Sequence, residues 1–215
     1  MAIALGSTAQ SQINGTSLTY SQTCNGNNRI LFTGVGAEQG TGDTITSVTY
    51  ATVPMTRIDM QVNINTTLNY RVYLYYLIAP ATGANNIVIS ASGTINIHGL
   101  SSSFTGVLQT GQPDSYGKAS LNTANLDVTT TVVLPNSWIF SIGHGYGIVP
   151  GAGTGLTSRQ SNSNTRIGDS NGVVLTGSNT VRWTGVGAQD IAGIAASFSP
   201  VPEALGGASF LMNFV

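Results

Sequence analysis

Tyr70-Arg71-Val72-Tyr73-Leu74-Tyr75-Tyr76-Leu77-Ile78-Ala79, closed by Pro80, is the stretch whose reading decides the fold. Its aromatic and β-branched side chains favour a pleated backbone, and Tyr70, Val72, Leu74, Tyr76 and Ile78 form the more apolar of its two alternating faces. A helix of this composition would crowd its own preceding turn, and the Pro-Ala-Thr-Gly that follows is turn chemistry. The stretch therefore predicts a central β-strand. None of its residues carries chemistry.

Outward from it, short strand signals alternate with turn punctuation, the arrangement of an all-β sandwich or barrel. Residues 3–5 and 16–20 read as early strands separated by the turn pair Asn14-Gly15. Asn25-Gly26-Asn27-Asn28 turns the chain into Arg29–Val35, a buried strand by its continuous apolar run. Strands follow at Ile45–Tyr50 and Met55–Ile64, with Pro54 at a strand start, where its missing N–H is tolerated. Pro80–Asn86 turns into Ile87–Ser90, the expected antiparallel partner of the 70–79 strand. Ser101–Thr110 begins as a strand, Val128–Leu134 alternates weakly, and Ser137–Gly143 reads as buried on both faces. Residues 143–171, rich in Gly, Ser and Asn, suit an exposed functional loop or a pair of short edge strands, and a surface excursion is expected. Val173–Leu175, Thr180–Thr184 and Ile191–Phe198 complete the strands. The expectation is a single-domain antiparallel β-sandwich, jelly-roll-like, over residues 1–199, with an apolar tail over 200–215 that packs on the domain or on a neighbouring subunit.

Charged side chains make up 7% of the 215 residues, with a formal net charge of −1, against about 25% charged in an average domain. The seven cations are scattered, which disfavours a phosphate-tracking groove and hence nucleic acid. Cys24 is the lone cysteine and forms no internal disulfide. The N-terminus has no basic residue ahead of its short apolar patch, so no secretory signal is expected. The longest apolar run, Val72–Ala81, is too short to cross a bilayer, and a soluble protein without membrane contact is expected. The heptapeptides Thr33–Gln39 and Thr184–Asp190 echo each other, but no longer repeat supports a solenoid.

Several blocks, in order, carry a resemblance: Asn28–Glu38, Ile45–Tyr50, Tyr75–Gly83, Ser103–Thr110, Ser137-Trp138-Ile139-Phe140-Ser141 and Ala195–Pro200. Over about residues 3–200 the chain resembles a β-sandwich domain family found in bacterial extracellular proteins and in virion proteins of tailed phages. The resemblance implies a structural or adhesive module without catalytic residues to carry over. The commonest pattern has a small or Gly-Gly turn after the Ser-Val-Thr-Tyr strand; here Ala51-Thr52-Val53-Pro54 stands in its place. With no export or anchor signal expected, the favoured role is a structural virion protein assembled in the host cytoplasm: a capsid cement or decoration protein, or a tail or fibre component. Its partners would be other copies of itself and a capsid or tail protein, and its assembly contacts Phe210, Leu211, Met212, Phe214 and Val215. The alternative is an extracellular adhesive or carbohydrate-binding module that stacks Tyr146 and Trp183 on sugar rings.

Catalysis is not expected. A hydrolase triad needs a nucleophile, a histidine base and an orienting acid, yet no G-x-S-x-G elbow occurs. His144, in Gly143-His-Gly-Tyr-Gly147, reads as a solvent-exposed turn or strand-end residue, and His98 as the start of a loop. An enzyme would need a cleft bringing either histidine to an acid and a hydroxyl. The eight acids are dispersed, so no glycosidase pair stands out. Asp169-Ser-Asn171-Gly172, the one faint calcium candidate, is better explained by an Asx-type turn. Gly151-Ala-Gly-Thr-Gly lacks the lysine of a phosphate loop. Trp138 reads as core. No metal or cofactor is expected.

Overall fold

The computed structural model describes residues 2–39, 42–63 and 70–202, and no helix occurs among them. The chain is all-β and is built from two antiparallel sheets. The first contains β1 (Ala4–Cys24), β2 (Ile30–Glu38), β3 (Ile45–Tyr50), β4 (Val53–Pro54), β5 (Thr56–Val62), β6 (Arg71–Ile78) and β7 (Gly83–Thr105) in the order β4-β3-β7-β2-β6-β5, with β1 also on β7. The second contains β8 (Ser115–Val132), β9 (Trp138–Gly145), β10 (Gly151–Ala152), β11 (Thr157–Asn162), β12 (Thr165–Asp169) and β13 (Gly177–Phe198) in the order β10-β13-β9-β12-β11, with β8 also on β13.

The 70–79 stretch forms β6, flanked by β2 and β5. Its expected partner lies elsewhere. Ile87–Ser90 belongs to the long β7, which pairs with β1 and β3 before residue 92 and with β1 and β2 beyond residue 95. The change of partner falls at Ser92-Gly93-Thr94, where the β1–β7 register also shifts. Asn14-Gly15 is likewise no turn: β1 runs through it as one strand, with a register shift between Gly15 and Ser17. Tertiary pairing along β7 overrides the local turn preference. The second sheet has a counterpart ribbon, β8 with β13, irregular between Thr184 and Gln189. The echoed heptapeptides thus sit in different contexts, one in an unbroken ladder and one spanning this irregularity.

The core has three layers. One, built from Tyr20, Val35, Val48, Tyr50, Tyr73, Ile89 and Ile97 among others, lies inside the curl of the first sheet. A second, including Val128, Ile139, Val181 and Trp183, is built from β8, β9 and β13 of the second sheet. The third joins the two sheets through Phe32, Leu74, Leu100, Phe104, Phe140, Ile142, Ile194 and Phe198. At its centre Phe32 and Phe140 stack at 4.0 Å, and Phe198 stands edge-on to Phe32 at 4.7 Å. Such pairs contribute roughly 0.5–1.5 kcal/mol each beyond their buried area. Gly34 brings the sheets together, since a Cβ there would stand 2.5 Å from Ile142 Cδ1 and 2.7 Å from Ile167 Cγ2.

Much of 143–171 is short strands in place of a surface excursion, with β10 and β11 at the ends of the strand order: β11 and β12 make a hairpin, and β12 pairs with β9 to bury Thr165, Ile167 and Asp169. The β3–β4 connection is a two-residue hairpin turn in which Ala51 (φ 48°) and Thr52 (φ 68°) both adopt left-handed backbone. That geometry normally selects Asn and Gly.

Candidate functional site

Two places concentrate features beyond packing, and they sit at opposite ends of β9. At the His144 end, β2 places Glu38 opposite Asn96 of β7, β7 places His98 opposite Gly36, and β9 places His144 opposite Thr165 of β12. The alternation of each strand turns these side chains into the space between the sheets. Glu38 Oε1 lies 3.2 Å from His98 Nε2 and 3.7 Å from His144 Nε2. Asn164 Nδ2 donates to Glu38 Oε1 at 2.7 Å and Asn96 Nδ2 to Oε2 at 3.1 Å. His144 Nδ1 and Thr165 Oγ1 are hydrogen-bonded at 2.8 Å. All of Glu38, His98, His144 and Thr165 are buried.

Burial alone would raise the Glu38 carboxyl, but hydrogen bonds from His98, Asn164 and Asn96 and the neighbouring His144 outweigh it, leaving Glu38 at about 2. Burial, followed by repulsion from His98, pushes His144 down to about 3. His144 is therefore a neutral imidazole in the fold. Both histidines depart from the sequence expectation: His98 sits mid-strand, not at a loop start, and His144 is a strand-end residue with no solvent exposure.

An acid, a histidine and a hydroxyl thus meet, the arrangement a triad requires. Approach is the obstacle. The backbone of Gly36 fills the space in front of the pair, because a Cβ added there would collide with Thr165 Oγ1 and stand 2.7 Å from His144 Nδ1. A substrate carbonyl would need that same volume to reach the Thr165 hydroxyl. Nor do the three ionisable groups surround a common centre; Glu38 lies between the two Nε2 atoms. Among the described residues no group of three or more His, Cys, Asp and Glu could hold a metal ion. The cluster does clamp the two sheets, since Glu38 and His98 belong to one and His144, Asn164 and Thr165 approach from the other.

Beyond this cluster the end is polar. Asn63 Nδ2 donates to Asp190 O at 2.9 Å and Asn122 Nδ2 to Asp190 Oδ1 at 2.8 Å. Tyr146 is 41% exposed and meets half-buried Tyr70 edge-to-face at 5.3 Å. Trp183, the other proposed sugar-stacking residue, requires a correction. It is 0% exposed, with Nε1 donating to Ser141 Oγ at 3.0 Å, because its position in β13 points into the core and not toward the Gly-rich turn. The faint calcium candidate is also spoken for. Arg159 grips Asp169 with two nitrogens at 2.5 and 2.7 Å, and Asn171 N donates to Asp169 Oδ1 at 2.7 Å, an Asx turn.

The Trp138 end is apolar. A groove of about 790 Å³ is lined by Ile3, Leu134, Trp138, Val173, Pro200 and Pro202 among others. Trp138 is half-buried, its ring edge-on to Phe104 at 6.2 Å, so one side belongs to the core and the other to the groove. On its wall Val173 is 64% exposed, and close in the chain to lining residues Leu134 and Val173 stand Val133 (58%) and Leu175 (83%). Val173–Leu175 was expected as a strand; only an isolated bridge, Val174 to Ser137, forms there, and the flanking side chains point outward. The signal available in sequence was the apolar triplet itself, which the strand pattern absorbed. The expected assembly contacts Phe210, Leu211, Met212, Phe214 and Val215 lie outside the described residues, which end at Pro202 on the groove wall.

No protein-family model matches the chain, and no curated protein or solved structure is significantly similar to it.

Proposed function

We propose that this chain is a structural protein of a tailed-phage particle, a jelly-roll-like β-sandwich that serves as a capsid cement or decoration protein or as a tail or fibre component. It acts through protein–protein contacts with copies of itself and with a capsid or tail protein, and it performs no reaction. The observation that carries this reading is the apolar face at the Trp138 end. An apolar groove with exposed Val173 on its wall, and with Val133 and Leu175 exposed beside its lining residues in the chain, marks an interaction surface. The sparse charge of the chain offers little repulsion between copies. The ordered strand blocks that resemble virion and extracellular sandwich domains supply the biological setting.

Negative-stain imaging of the purified full-length protein, alone and mixed with particles of a phage that encodes it, tests the reading. Regular arrays, rings or symmetric decoration are expected. A featureless monomer that leaves the particles bare would contradict it.

A second reading rests on Tyr146. Its exposed ring, held edge-on by Tyr70 among Asn and Asp side chains, is the kind of platform on which a sugar stacks. In that reading the domain is an adhesive, glycan-binding module at a surface. Binding on a glycan array that disappears in Tyr146→Ala supports it, and an array without signal removes it.

A further inference from the structure

We propose that the His144 end of the sheet interface is an acid-sensitive clasp: mild acid lifts the β11–β12 hairpin off the first sheet while the phenylalanine core keeps the rest of the fold closed. The inference goes beyond the assembly reading and does not depend on it. Its basis is a shortage of counter-charge. One carboxylate, Glu38, stands between two imidazoles, 3.2 Å from His98 Nε2 and 3.7 Å from His144 Nε2, and its oxygens also accept from Asn164 and Asn96. Among the described residues His144 Nε2 has no hydrogen-bond partner. A proton added there would need water or a carboxylate of its own, and there is room for neither, because the ring is fully buried and the Gly36 backbone closes the space in front of it. The other groups around the ring supply no charge. Tyr70 packs against it at 5.5 Å, Thr165 takes its Nδ1, its β13 neighbour is Ala192, and Asp190 is engaged by Asn122. Arg71, paired with Ala37, lies on the other face of its sheet.

The hairpin is the part able to move. β11 ends the strand order and is joined to the sheet through β12. Its tip is held to the first sheet by hydrogen bonds: Asn162 Nδ2 donates to Ser11 O at 3.1 Å, Ser163 Oγ to Gln12 Oε1 at 2.7 Å and Asn164 Nδ2 to Glu38 Oε1 at 2.7 Å. Of the hairpin's residues, Ile167 alone belongs to the apolar layer between the sheets. Segments held by polar contacts with little apolar burial open at lower cost than the domain as a whole. Phe32, Phe140 and Phe198 stack in the same interface but outside the hairpin, so their contacts survive its release.

Proton linkage sets the size of the effect. Burial, then repulsion from His98, holds His144 at about 3 in the closed form, with Glu38 and the Asn164 carbonyl pulling the other way. In the open form the ring meets water and returns toward its ordinary 6.5. The open form thus binds a proton that the closed form refuses, and its population rises as pH falls below 6.5, approaching about tenfold per pH unit. Glu38 joins in only below its ordinary 4.5, so the interval above that value isolates His144.

Amide hydrogen exchange of the full chain between pH 6.5 and 4.5, expressed as protection factors and repeated in low urea, tests the clasp. Gly145 and Thr165–Ile167 are expected to be less protected than Leu31–Val35 of β2, to lose protection at close to tenfold per pH unit, and to respond little to urea, since a local opening exposes little surface. In His144→Gln the hairpin's protection is expected to be independent of pH over this interval. Hairpin amides that keep their protection in acid overturn the proposal. So does a urea response as steep as that of β2, which makes the opening global, and so does an unchanged pH slope in the variant. If the variant does not fold, the wild-type comparison of the hairpin with β2 still decides.

Discussion

Gly36 of β2 and His144 of β9 meet across the sheet interface so closely that a Cβ on the glycine would stand 2.7 Å from the imidazole Nδ1. The contact makes Gly36 a spacing residue: it admits the His144–Thr165 pair against bare backbone and holds the two sheets in register. Gly36→Ala should cost roughly 1–3 kcal/mol, the usual range for overpacking. Urea denaturation checks it, and a midpoint equal to that of the wild type would show that the sheets can part at no cost.

The same cluster predicts sensitivity to acid. His144 falls from its ordinary 6.5 to about 3, and Glu38 from 4.5 to about 2. Between pH 6.5 and about 3 the unfolded chain binds a proton at His144 that the folded chain does not. Between pH 4.5 and about 2 the same holds at Glu38. In both windows the unfolded state holds more protons, so stability falls as pH falls. Denaturation midpoints should drop steadily below pH 6.5, and His144→Gln should flatten the part of that slope above pH 4.5. An identical slope in the variant would contradict the assignment.

The hairpin turn between β3 and β4 is a local weakness. Ala51 and Thr52 both hold positive φ, and a non-glycine residue there costs about 1–2 kcal/mol, the more so when β-branched. Replacing Ala51-Thr52 by Asn-Gly should raise stability by about 1 kcal/mol or more, seen as a higher melting temperature. A lower melting temperature would show that these side chains contribute something the turn geometry does not reveal.

Trp183 and Tyr146 should separate cleanly. Trp183→Ala empties a fully buried site and removes the donor to Ser141, at a cost of about 3–5 kcal/mol. Tyr146→Ala, at an exposed ring, should cost under about 1 kcal/mol. Calorimetry on the two variants decides it, and comparable losses would contradict the burial contrast.

The strands of this fold were legible where side-chain pattern alone sets them. The aromatic alternation of 70–79 announced β6, and the apolar runs announced β2 and β9, because burial on both faces leaves a continuous signature. What the sequence hid were the long-range effects. Asn14-Gly15 carries a genuine turn preference that pairing with β7 overrides. Residues 157–169 are too polar to announce strands, and they form them because β9 supplies a ready ladder. The Glu38 cluster escaped notice for a related reason. Its three ionisable members, Glu38, His98 and His144, are separated by at least 46 residues and meet only through register, which no spacing rule reports. Trp183 misled because Arg182 and a nearby Gly-rich turn suggested surface, whereas strand alternation sends Arg182 out to Asp127 and Trp183 in. The apolar groove was not legible, since its walls come from six separate stretches of chain.

Sedimentation velocity over a range of concentrations, with wild-type protein beside a Val173→Asp/Leu175→Lys variant, probes the assembly face most directly. The apolar face should drive the wild type into a discrete larger species, which the two charges disperse into folded monomer with an unchanged circular dichroism spectrum. A wild type that sediments as a monomer at every concentration, indistinguishable from the variant, would contradict the claim that this face exists to be covered by another protein.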